Sequence, residues 1–168
     1  MIIREINVSD AENLVNLILQ VEKESEYMLM EPSERQLTIE QQVQRIASFQ
    51  KSNNSTIFVA EKDHRLVGYM FAIGGMAKRT AHSAYLVIGI LKDFRGRGTG
   101  TKLFQQLEEW ALVNNIHRLE LTVVTGNGAG IALYEKMGFK IEGRKQHSLL
   151  INGEFVDEYY MAKLIQRV

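Results

Sequence analysis

Three glycines in five residues stand between an apolar run and an amphipathic stripe, and few folds accommodate that arrangement. The run, Tyr85-Leu86-Val87-Ile88-Gly89-Ile90-Leu91, has the composition of a buried strand. The stripe, Leu103, Leu107, Trp110 and Ala111, has helical spacing. The stretch between them, Arg95-Gly96-Arg97-Gly98-Thr99-Gly100-Thr101, therefore reads as a loop from strand to helix. Glycine lets successive backbone N–H groups turn toward one point without Cβ clashes. The helix that follows adds its unpaired amides and the positive end of its dipole. With Arg95 and Arg97 alongside, the loop predicts a site for an anion as highly charged as a pyrophosphate.

Six of the thirteen glycines fall in two windows, 96–100 and 126–130, each just after an apolar strand. Two tight turns with glycine for geometry alone are the plain alternative. A P-loop would need Gly-Lys-Ser/Thr after four spacers, and none occurs. A dinucleotide fingerprint would need glycine three residues after Gly98, where Thr101 stands. The loop thus fits a phosphorylated cofactor of another kind.

The rest of the chain supplies the frame. Residues 2–8 alternate as a strand, and Ser9 or Asp10 is placed to cap a helix carrying Leu14, Leu17, Ile18 and Val21. Residues 22–36 hold the only proline, Pro32, and read as a loop. Thr38 with Gln41 forms a capping box for a helix to about Phe49. Thr56–Glu61 and Leu66–Ile73 are strand-like and joined by Lys62-Asp63-His64-Arg65. Leu119–Val124 is another apolar strand, followed by a short helix closed by Gly138. Asn152-Gly153 marks a last hairpin. The order β-α-α-β-β-β-α-β-α-β-β predicts an α/β chain with a mixed sheet and helices on its faces, one domain over residues 1–168.

Composition removes several functions. Twenty basic residues balance twenty acidic ones, so no global field draws the chain to nucleic acid or to an anionic membrane. The absence of cysteine excludes disulfides, thiolate metal sites and a cysteine nucleophile. The four histidines, His64, His82, His117 and His147, lack ligand spacing, and no metal is expected. The opening residues have no apolar segment of the secretory kind, and the longest apolar run is too short for a bilayer. The expected location is the cytoplasm.

At this point the residues resemble the GCN5-related N-acetyltransferase (GNAT) superfamily. Its pyrophosphate signature, Arg/Gln-x-x-Gly-x-Gly/Ala, is matched by Arg95, Gly98 and Gly100. A second signature, Asn-x-x-Ala-x-x-Leu-Tyr-Glu-Lys-x-Gly-Phe, is matched by Asn127, Leu133, Tyr134, Glu135, Lys136, Gly138 and Phe139, with Gly130 in place of the alanine. That glycine should loosen the helix start slightly. Both signatures stand in the family's order, and the element order fits nearly the whole chain.

The resemblance implies a mixed, mostly antiparallel central sheet flanked by helices on both faces. It further implies transfer of acetyl from acetyl-CoA to a primary amine by direct attack, with no acyl-enzyme. Tyr134 would protonate the departing thiolate, and Asn127 would hydrogen-bond the pantetheine arm or serve as a cap. Backbone groups of Ile88, Gly89 and Ile90 would line the arm and the thioester. Arg95 through Thr101 would hold the pyrophosphate, with Arg97 and Lys102 beside it or in solvent. For the base, Glu120 leads, with a salt-bridged strand carboxylate as its plain reading and a water chain as an alternative. In this family the segment holding Glu22, Glu24, Glu26, Glu31 and Glu34 lines the acceptor groove, which favours a cationic amine, with a solvated loop face as the plain alternative. The acceptor would be a small amine, a peptide N-terminus or a lysine, and a homodimer through the last hairpin is compatible. A non-catalytic coenzyme A sensor on the same fold is the rival reading. A phosphoryl-transfer enzyme is disfavoured by the missing loop lysine.

Overall fold

The computed structural model describes residues 1–166. The elements follow the expected order. They are β1 (Ile2–Glu5), a 3-10 turn (Val8–Asp10), α1 (Ala11–Glu24), α2 (Ile39–Lys51), β2 (Thr56–Lys62), β3 (Arg65–Gly74) and β4 (Ser83–Ile90). After a short turn at Lys92–Phe94 come α3 (Thr99–Val113), β5 (Arg118–Val124), α4 (Gly128–Lys136), β6 (Lys140–Ile151) and β7 (Glu154–Leu164).

Two details at the start differ from expectation, and both trace to Asp10. Its carboxylate takes Arg4 through both oxygens at 2.8 and 2.9 Å and also accepts from the Asn7 amide at 2.8 Å. The chain is thereby drawn into a turn, so the first strand stops at Glu5 instead of reaching residue 8. Asp10 sits at the start of α1 without capping it, because its acceptors are spent on Arg4 and Asn7. Thr38 does cap α2, accepting from the Gln41 amide at 3.1 Å. Asp63 and His64 at φ 50° and 62°, and Asn152 and Gly153 at φ 50° and 79°, make the two-residue turns of the hairpins.

The seven strands lie in the order β1-β2-β3-β4-β5-β7-β6. Every pairing is antiparallel except β4 with β5. That parallel ladder registers only Ser83 with Arg118, Ala84 with Leu119 and Tyr85 with Glu120. Both strands continue past it, β4 to Ile90 and β5 to Val124, so they part like the arms of a V. The edge of β4 over Leu86–Ile90 that would have faced β5 is left without a strand partner among the described residues.

Alternation along the strands assigns the faces. Leu86, Ile88, Ile90, Leu119, Leu121 and Val123 point toward α3, whose Leu103, Phe104, Leu107 and Ala111 are buried. Tyr69, Phe71, Tyr85, Glu120 and Thr122 point to the opposite face, where Phe49 of α2 meets Phe71 edge-on at 6.0 Å. Among the described residues no helix is long and apolar enough to cross a membrane.

Gly89 lies within the unpaired arm of β4, and the buried ring of Tyr69 covers it. A Cβ at Gly89 would stand 2.5 Å from Tyr69 Cζ, whereas one at Gly68 would meet nothing closer than 3.5 Å. Overpacking of a fixed aromatic ring costs about 1–3 kcal/mol, so Gly89→Ala should lower the urea midpoint clearly while Gly68→Ala stays within about 1 kcal/mol of wild type.

Candidate functional site

The loop at the end of β4 has the backbone its glycines predict. Gly96 and Gly98 take φ of 68° and 81°, in the left-handed region, and a Cβ at either would meet only open space. Glycine is needed there for conformation and not for packing. Gly98 opens α3 without a side-chain cap, so the first-turn amides of Thr99, Gly100 and Thr101 remain available to an anion. Gly100 is required for the opposite reason: a Cβ would stand 2.7 Å from Leu133 Cδ2 of α4. Thr99 is buried and donates through its hydroxyl to the Phe94 carbonyl at 3.0 Å, closing the loop on itself. Arg95 turns back, its Nε donating to the Ile90 carbonyl at 3.0 Å, and so ties the loop to the free arm of β4. Arg97 and Lys102 are exposed beside it.

The second glycine window places Asn127 and Tyr134. Asn127 caps α4, its Oδ1 accepting from the Gly130 amide at 3.0 Å. A Cβ at residue 130 would stand 2.6 Å from Asn127 Nδ2, so glycine there admits a close cap. The cap uses Oδ1 and leaves the Nδ2 donor out of it. At the other end Gly138, at φ 93°, donates to Glu135 at 3.0 Å and Phe139 donates to the Tyr134 carbonyl at 2.9 Å. This pair of bonds is the Schellman closure, and it fixes the backbone of Tyr134 itself.

The Tyr134 ring packs against Phe104 at 5.8 Å and Phe139 at 6.3 Å. It is 8% exposed. Burial, with a smaller contribution from the nearby Tyr85 phenol, pushes its hydroxyl up to about 12. The side chain is thus both a core residue and a phenol that stays protonated throughout the neutral range.

Glu120 stands at the vertex of the V, in register with Tyr85, on the face away from α3. Its Oε2 accepts from Arg118 Nε at 2.8 Å, and the same guanidinium holds Glu142 of β6 through NH1 at 3.0 Å. A salt bridge therefore anchors it, yet its side chain keeps 40% of its exposure. At about 3.3 Å per strand residue, its level lies about 10 Å short of Ile88. Two hydroxyls that sequence reading passed over lie beside it: Tyr85 Oη and Thr122 Oγ1 meet at 3.0 Å across the parting strands. Neither belongs to a motif, and only the register of β4 on β5 brings them together.

The acidic segment, which begins inside α1 because that helix runs on to Glu24 and the loop starts after it instead of at residue 22, is not one groove. Glu22 is buried, with Oε1 2.9 Å from Arg35 Nε, and burial raises its carboxyl against the pull of that arginine. Glu24 accepts from the Lys92 amide at 2.7 Å, and that bond holds its carboxyl below the usual range. Glu34 accepts from the Glu31 amide at 2.9 Å. Tyr27 donates to the Gly126 carbonyl at a long 3.4 Å. Residues 24–27 therefore strap the mouth of the V from the end of β4 to the end of β5. Beside the strap, Glu26, Tyr27, Thr125, Gly126, His147 and Asp157 help line a cavity of about 510 Å³. Of the five glutamates only Glu26 reaches it. No group of residues suited to a metal ion occurs among the described residues.

The model of the Acetyltransferase (GNAT) family matches residues 19–139. The L-amino acid N-acetyltransferase AaaT of Escherichia coli is 36% identical over 110 residues, which span 63% of this chain and 66% of that enzyme. The GNAT-family acetyltransferase of Streptococcus pneumoniae superposes with a TM-score of 0.94 at 32% identity, covering 98% of this chain and 99% of the other. The protein YncA of Salmonella typhimurium, solved with its cofactor acetyl-CoA, shares the fold at a TM-score of 0.87 and 15% identity, covering 99% and 95% of the two chains.

The raised phenol of Tyr134 makes a prediction for stability. Below pH 10 it is protonated in both states; above that the unfolded chain ionises first, so its contribution is lost as pH rises from 10 toward about 12. Between about pH 9 and pH 11, Tyr134→Phe should therefore gain about 1 kcal/mol on wild type in paired urea melts.

Proposed function

The chain belongs to the acetyltransferase (GNAT) family, and on that premise we propose that it transfers acetyl from acetyl-CoA to a primary amine by direct attack. The observation that carries the reading is the parting of β4 and β5 between an anion-binding loop and a buried phenol. The residues fit the cofactor: an unpaired strand edge is followed along the chain by two left-handed glycines beside open space and an uncapped helix start. When bound, acetyl-CoA supplies an acetyl thioester as electrophile.

Arg97, Lys102 and the amides from Gly96 through Thr101 hold the pyrophosphate, while Arg95 keeps the loop on β4. On the open edge of β4 the backbone groups of Ile88 and the N–H of Ile90 align the pantetheine arm, with Gly89 between them turned to Tyr69 of β3, and one N–H polarises the carbonyl as negative charge develops on it. Asn127 donates to the arm through Nδ2. Tyr134 lends its proton to the sulfur as the C–S bond breaks. A thiol's ordinary value near ~8.5 lies below that of this phenol, so Tyr134 completes the transfer only by taking back the proton that the attacking nitrogen gives up. Glu120, anchored by Arg118, is the terminal proton acceptor at the vertex. The chain has no cysteine to carry an acyl group, and direct attack needs none.

Thiol release from acetyl-CoA, followed with a thiol dye, tests the proposal without background from the protein. The Escherichia coli relative is named for L-amino acids, so these come first, followed by polyamines, aminoglycosides and short peptides. Tyr134→Phe should lose about a hundredfold in kcat with little change in acetyl-CoA affinity. Undiminished turnover in that variant would remove Tyr134 from the chemistry. Cofactor binding with no turnover on any amine would favour a sensor instead.

A further inference from the structure

We propose that the hydroxyl pair of Tyr85 and Thr122 seats the acceptor's nitrogen and passes its proton toward Glu120; this rests on the acetyltransferase reading. Three observations converge on the pair. It is a side-chain bridge across β4 and β5, at 3.0 Å, located just where backbone pairing ends. It lies on the face opposite α3, so Tyr134, which packs on Phe104 of α3, and Tyr85 approach the vertex from the two sides of the sheet. It is open: Tyr85 is 38% exposed and Thr122 is half-buried.

Direction gives the pair its place in the reaction. An arm anchored at the Gly96–Gly100 loop and aligned along the free edge of β4 points its reactive end down the V toward Tyr85. An amine that meets this end from the open face comes against Tyr85 Oη and Thr122 Oγ1. Each hydroxyl accepts one hydrogen bond while donating another. The acceptor arrives as its ammonium; one of its protons is accepted by one oxygen while that hydroxyl releases its own proton to the next, which leaves a neutral amine for the attack. Glu120, two residues from Thr122 on the same face, or the solvent around it, receives the proton. The N–C bond then forms as the C–S bond breaks, Tyr134 protonates the sulfur, and the nitrogen's second proton restores Tyr134. The products are one amide, one thiol and the one proton delivered to Glu120 or solvent, and the sum of protons is unchanged. The charged and titratable neighbours of the pair are Arg118 and Glu120 on β5, Tyr160 in register with Thr122 on β7, and Tyr134 on α4.

The test compares Thr122→Val, Thr122→Ser and Tyr85→Phe in the thiol-release assay, with acetyl-CoA affinity and melting temperature measured on each. Thr122→Val and Tyr85→Phe should each raise KM for the amine about fivefold or more and lower kcat. Affinity for acetyl-CoA and melting temperature should stay at wild-type values, and Thr122→Ser should restore the amine KM. A double variant no worse than either single one would mark the two hydroxyls as one unit. An active wild type with Thr122→Val and Tyr85→Phe at its level overturns this inference alone. Equal losses in amine KM, cofactor affinity and melting temperature, without rescue by serine, also overturn it and leave a structural bridge. A wild type silent on every amine overturns the acetyltransferase reading together with the inference.

Discussion

The parting of β4 from β5 is the constraint on which the rest depends. A buried strand edge ordinarily satisfies its amides and carbonyls with a neighbouring strand, and leaving them unpaired is costly. Here the ladder ends after Tyr85 and Glu120, although both strands continue. Along β4 from Leu86 to Ile90 the backbone groups of alternate residues, those turned away from β3, are thus left in search of a partner, apart from the Ile90 carbonyl that Arg95 takes. An extended ligand arm matches that need as a strand would, and the neighbouring elements are arranged around it. The glycine loop closes one end, the Tyr85–Thr122 bridge closes the other, and Tyr134 approaches from the α4 side.

The glycines around this gap answer two separate demands. Gly96 and Gly98 supply left-handed backbone beside open space, the geometry that turns amides toward an anion. Gly89, Gly100 and Gly130 supply the absence of a side chain, where Tyr69, Leu133 and Asn127 come too close for a Cβ. The first group shapes a binding surface and the second sets how closely α3, α4 and β3 approach it. A glycine pattern in a sequence does not distinguish the two, since both appear only as a missing Cβ.

The strap after α1 shows how acidic residues with one appearance in sequence come to do different work. Glu22 is buried against Arg35, Glu24 fixes the end of α1 to Lys92, and Glu26 alone lines the cavity beside the mouth. A uniformly anionic acceptor groove was the natural expectation from Glu22, Glu24, Glu26, Glu31 and Glu34. Most of that charge is instead spent on backbone amides and one guanidinium, which shapes the loop and leaves much less field at the entrance.

Much of the frame was legible in the residues because it is local. The Thr38 cap, the Asn152-Gly153 turn, the Gly138 closure and the two glycine windows each depend on neighbours within a few positions, where backbone geometry decides. The element order followed from them, while the roles of Asn127 and Tyr134 came from the resemblance of the chain to the family's two signatures. The first strand was read too long because Asp10 is claimed by Arg4, an ion pair invisible to alternation. Glu120 was located on its strand, but its Arg118 anchor came from the fold. Tyr85 and Thr122 carried no signal at all, being 37 residues apart and brought together by the register of one parallel pair. Local spacing determined which elements exist and where the glycines turn. Only the tertiary structure decided where β4 and β5 separate and which side chains meet there, because that depends on contacts between distant segments whose energies no single stretch of sequence contains.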